Sequence, residues 1–73
     1  MLEKIKEILA EQLDVELEEV KDNSDIQEDL GADSLDVMDI MTEIEAEFDI
    51  EVEDEEIENL RTPAKIEEYL KRK

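Results

Sequence analysis

The chain has 73 residues with no cysteine, no histidine and one glycine, which excludes disulfides, thiolate metal sites, a histidine general base and a glycine-rich phosphate loop. Its 26 acidic residues against 8 basic ones give a net charge of -18, which repels nucleic acid and anionic membrane surfaces and suits partners with basic patches. No apolar run approaches the roughly 20 residues that span a bilayer, and the start resembles no signal peptide, so cytoplasm is the expected location.

Charged residues at 47% with only two aromatics, Phe48 and Tyr69, lean towards disorder, whereas a hydrophobic fraction of 40% leans towards a packed core. Periodicity decides for the core. Leu2, Ile5, Ile8, Leu9 and Leu13 fall on one helical stripe opposite Glu3, Lys4, Glu7 and Glu11, which predicts a first amphipathic helix from about Leu2 to Leu13. From Asp14 to Asp33 no clean period survives. Asp22-Asn23-Ser24-Asp25 reads as a turn, Ile26 and Leu30 as isolated anchors to a core. A helical turn around Leu17 to Val20 would shorten this long first loop.

The second helix is expected from near Ser34 to near Asp49, preceded by Gly31 and capped by Asp33 or Ser34, with Asp36 in the dipole-favoured first turn. Val37, Ile40, Met41, Ile44 and Phe48 gather in one arc and should face inward. Leu35, Met38, Thr42 and Ala46 fall outside it, towards Asp36, Asp39 and Glu43. After a connecting loop with Ile50 and Val52, Asp54 should cap a short turn carrying Ile57 and Leu60. Thr62 and Pro63 announce the last helix. Its apolar face is Ala64, Ile66, Tyr69 and Leu70, and its end carries Lys71, Arg72 and Lys73. The expected fold is all-α: a small four-helix bundle of three main helices and one short one, with residues 1–73 as a single domain.

The charge is uneven. No basic residue lies between Lys21 and Arg61, yet 17 of the acids do, so the second helix sits at the centre of a negative field. Paired carboxylates can do acid–base work only with a pocket and a cleft, and a domain this small with two aromatics is expected to be non-catalytic. An EF-hand loop needs a glycine at its sixth position. Starts at Asp22, Asp25 and Asp29 place Gln27, Leu30 and Ser34 there, so no dedicated metal site is expected. Ser34 has two readings. A serine at a helix start is ordinarily a cap; alternatively, the free amides and positive dipole end would stabilise a phosphoryl group bonded to its oxygen. Without a histidine beside it, Ser34 would then be a modification target, not a nucleophilic catalyst.

Glu28-Asp29-Leu30-Gly31-Ala32-Asp33-Ser34-Leu35-Asp36 resembles the modification motif of acyl carrier proteins, with Asp33-Ser34-Leu35 at its centre. The likeness runs from about Glu11 to Leu70. It takes in Glu11-Gln12-Leu13, Glu47-Phe48-Asp49 and Asp54-Glu55-Glu56. The resemblance implies a covalent 4'-phosphopantetheine on Ser34, placed there by a phosphopantetheinyl transferase. It further implies growing acyl chains carried as thioesters and handed to fatty acid synthesis enzymes with basic docking patches. Family members are four-helix bundles that can shelter the chain, and partners dock on the second helix. The positions matching that surface are Asp33, Leu35, Asp36, Met38, Asp39, Glu43 and Glu45.

Three residues depart from the family pattern. Thr42 stands where an apolar docking residue is common, Glu53 where proline is, and Asp14 where glycine is. Polyketide, peptidyl and D-alanyl carriers share the fold, although Ala32-Asp33 before the serine differs from the second glycine usual in peptidyl carriers. From another class, an unmodified acidic adaptor or nucleic-acid mimic would use the same negative face. Monomer is the expected state, since no broad apolar face is left over.

Overall fold

The helical stripe of the first segment becomes α1, Leu2–Leu13, with Ile5 and Leu9 fully buried and Leu13 packed at the core edge. The computed structural model describes residues 1–72; Lys73 lies outside them. Asp14 ends α1 in the left-handed conformation at φ 55°, and Val15 N–H donates to the Ala10 carbonyl at 3.0 Å. This explains why glycine is common at such a position: it takes positive φ without a Cβ penalty.

The stretch without a period is ordered by anchors instead of by regular structure. A short 3-10 turn forms at Leu17–Glu19. Val20, Ile26 and Ala32 are buried at irregular intervals, so each is pinned separately and no periodic stripe is needed. Ser24 is buried, its hydroxyl accepting the Lys21 N–H at 2.9 Å. Asp22 pairs with Lys6 of α1 and accepts the Ala64 N–H at 3.0 Å, tying the loop to both ends of the chain.

The second helix, α2, spans Ser34–Phe48 with Val37, Ile40, Met41 and Ile44 buried. Phe48 is half-buried against the same core. Each such aliphatic side chain taken from water contributes about 1.5–3 kcal/mol. α2 stops at Asp49, also left-handed at φ 55°. The short α3 is Asp54–Ile57. Asp54 is its first residue and not its cap: Glu53 holds the cap position and makes no side-chain bond to the helix. The φ of Glu53, -72°, is one a proline also adopts. The last helix, α4, is Pro63–Lys71. Thr62 caps it by accepting the Lys65 N–H at 3.2 Å, and Pro63 sits at the start with its ring buried.

α1 packs along α2 and α4. α3 has no broad helix–helix interface and rests on the core through Ile57 and the buried Leu60. The radius of gyration is 10.8 Å, close to the ~11 Å of a compact chain of this length, so the core wins over the charge. Among the described residues no strand forms, and no helix is long and apolar enough to cross a membrane.

Candidate functional site

Four consecutive residues build the entrance of α2. Gly31 takes φ 77°, and a Cβ there would meet nothing within 4 Å, so the glycine serves backbone freedom and not space. Ala32 is buried and its N–H donates to the Ile26 carbonyl at 3.0 Å, which fixes the approach. Asp33 then takes the cap. Its carboxylate accepts the Asp36 N–H at 2.9 Å, and the Asp36 carboxylate accepts the Asp33 N–H at 3.3 Å. This reciprocal pair satisfies two otherwise orphaned donors.

Asp33 thereby relieves Ser34 of the capping role that its position offered. Ser34 is the first residue of α2, exposed, and its hydroxyl bonds to no described residue. The chain has one other serine, Ser24, which is buried with its hydroxyl engaged. Of the two serines, Ser34 is the one whose hydroxyl is exposed and not bonded to any described residue. The electrostatics add a refinement. The helix end favours an anion by a partial charge, but Asp33 and Asp36 set two full carboxylates beside it, so a phosphoryl group would not be retained there by charge. A phosphoryl group at Ser34 must be bonded to stay.

Along α2 the outer face carries Leu35 at 75% exposure and Met38 at 51%, with Asp39, Glu43, Thr42 and Ala46 exposed beside them. Apolar side chains thus stand among carboxylates on one surface. Thr42 adds no free hydroxyl to it, since its Oγ1 donates to the Met38 carbonyl at 3.0 Å. Glu45 stands apart from the group: it is half-buried, and its carboxylate accepts the Val52 N–H at 2.7 Å. It organises the loop after α2.

Beside Ser34 a groove of about 580 Å³ runs between α2, the loop and the α3 segment. Its walls include Ile26, Val37, Met38, Ile57 and Leu60, and it reaches Arg61. The guanidinium of Arg61 grips Asp25 with two bonds, Nε to Oδ2 at 3.0 Å and Nη2 to Oδ1 at 3.2 Å. The Arg61 bond, reinforced by the Glu28 and Gln27 amides, holds the Asp25 carboxyl below the usual aspartate range, and Asp25 in turn raises Arg61. This pair is not legible in the sequence. Its signal was visible only as the isolation of Arg61 in an acidic stretch; a partner 36 residues away is set by the fold. Among the described residues no cluster of three or more acids is arranged to hold a metal ion.

Comparison with known proteins converges on one family. The family described as "Phosphopantetheine attachment site" matches residues 3–70. An acyl carrier protein of Wolinella succinogenes is 48% identical over 66 residues, covering 90% of this chain and 87% of the relative. One from Clostridium acetobutylicum is 42% identical over 71 residues, covering 97% and 92%. Among solved structures, an acyl carrier protein from Enterococcus faecalis superposes with a TM-score of 0.80 at 36% identity, covering 94% of this chain and 87% of that one.

Proposed function

The chain belongs to the acyl carrier proteins, non-catalytic carriers with a phosphopantetheine attachment domain, and from that premise we propose that Ser34 is the attachment residue and that fatty acid synthesis is the pathway served. The observation that carries the assignment is the contrast between the two serines: Ser34 exposed and unbonded at the mouth of a capped helix, Ser24 buried and engaged. In the transfer, the Ser34 oxygen bonds to the phosphorus of coenzyme A, the pyrophosphate link breaks, and 3',5'-ADP leaves. The Ser34 proton passes to the transferase, because this chain has no histidine to receive it. The arm, once bound, supplies a thiol on which acyl groups ride as thioesters.

Partners are the transferase and the synthesis enzymes, meeting α2 through arginine and lysine patches. Asp33, Asp36, Asp39 and Glu43 provide the field, and Leu35 and Met38 the apolar contact. This division follows how interfaces use charge for steering and apolar anchors for affinity. Glu45 enters only by maintaining the loop behind α2. A linear aliphatic chain fits the groove beside Ser34, whose volume lies within the range of small-molecule pockets, roughly 300–1,000 Å³. Each methylene sheltered contributes about 0.8 kcal/mol. The whole chain acts as one carrier domain, as a monomer in the cytoplasm.

The test is intact mass after incubation with coenzyme A and a broad-range phosphopantetheinyl transferase. A gain of one phosphopantetheinyl group, absent in Ser34→Ala, supports the proposal. An unchanged wild-type mass refutes it and returns the chain to the unmodified adaptor reading.

A further inference from the structure

The groove beside Ser34 has one firm wall and one weak one. α2 is 15 residues long, anchored by four buried side chains and closed at its start by the Asp33–Asp36 box. The opposite wall is α3 and the residues after it. That segment is a four-residue helix without a side-chain cap and without broad packing on another helix. Something other than helix packing must hold Ile57 and Leu60 facing Val37 and Met38.

Two contacts do so. Arg61 binds the Asp25 carboxylate through two nitrogens at 3.0 and 3.2 Å, and its carbonyl accepts the Ile26 N–H at 2.8 Å. Asp25 is itself immobilised. Its Oδ1 accepts the N–H groups of Gln27 and Glu28 at 2.9 Å each, and its own N–H donates to Asp29 at 2.7 Å. A preset carboxylate thus receives the planar fork that arginine alone provides. Arg61 is also the one basic residue between Lys21 and Lys65, and among the described residues the ion pair of Asp25 is with Arg61.

We infer that the Asp25–Arg61 pair is the latch that positions the movable wall of the groove, and that Arg61 thereby determines how well a linear aliphatic chain carried on Ser34 is shielded from water. The inference rests on the attachment reading for its cargo but not for its mechanics. With the latch closed, Ile26, Ile57 and Leu60 form a fixed apolar wall. With it open, the segment after α3 moves away from the loop and the groove loses its shape.

Two measurements on Arg61→Gln, Asp25→Asn and Arg61→Lys test it. In the unmodified protein, amide exchange at Ile26 and Leu60 should quicken several-fold in the first two variants. Amides of α1 and α4 should keep their protection. Arg61→Lys, which retains the charge without the fork, should fall between. In protein loaded with an octanoyl arm from octanoyl-coenzyme A, hydroxylamine should cleave the thioester faster in the same order. Unchanged exchange at Ile26 would overturn the latch. Faster exchange with unchanged cleavage would overturn its role in shielding. Failure of the wild type to gain mass from octanoyl-coenzyme A would overturn the attachment reading and the shielding role with it, while the exchange result would still decide the mechanics.

Discussion

Two aspartates illustrate how single residues carry strain in this chain. Asp14 and Asp49 both sit at φ 55° after a helix, where any side chain is penalised and where a negative charge meets the negative end of the dipole. Asp14→Gly relieves both effects and should raise unfolding stability by about 0.5–1 kcal/mol, read as a higher urea midpoint with unchanged slope; a lower midpoint would contradict the strain. Asp25 behaves in the opposite sense. Its folded pKa is lowered, first by the Arg61 bond, so its contribution is complete above the unfolded value of about 3.9 and is lost as pH falls through the folded value. The melting difference between wild type and Arg61→Gln should therefore be present at neutral pH and close below about pH 4. A difference that persists in strong acid would mean the arginine acts by packing and not by charge.

At the level of elements, neighbouring carboxylates of α2 stand in different settings, one inside the helix cap and one on the proposed docking face. Asp36 belongs to the capping box, whereas Asp39 is exposed and bonds to nothing described. Reversing either charge should slow loading by the transferase, more so at low salt where steering is strongest. Only Asp36→Lys should also lower stability, by about 1 kcal/mol. Loading rates indifferent to both reversals would remove the docking face. The three long helices were legible because stripes such as Leu2, Ile5 and Leu9 or Val37, Ile40 and Ile44 repeat at the helical period, and Thr62-Pro63 carries its own start signal. The loop before Ser34 was legible only in part: the turn at Leu17–Glu19 and the anchor Ile26 were expected, but Val20 and Ala32 reach the core one by one without a period to announce them. Glu45 was not legible: helical spacing places it near the outer face, but the turn after α2 draws it inward to Val52. The motif singled out Ser34 as the proposed attachment residue, but its freedom from capping became visible only when Asp33 was seen to take that role.

The whole molecule is a small core inside an unbalanced field. A net charge of -18 on a body with a radius of gyration of 10.8 Å means that carboxylates across the molecule repel one another, and the screening length is about 10 Å at 0.1 M salt. Moderate salt should therefore raise the melting temperature, as self-repulsion falls; a steady decline with added salt would contradict that balance. On the proposed reading the same field recruits basic partners to α2 and leaves the chemistry to them, and everything then turns on where the arm is joined. Fragmentation of the loaded protein by tandem mass spectrometry locates that bond directly. The structure predicts a single phosphopantetheinyl group on Ser34; a group on Ser24, whose hydroxyl lies inside the loop, or none on either serine, would contradict it.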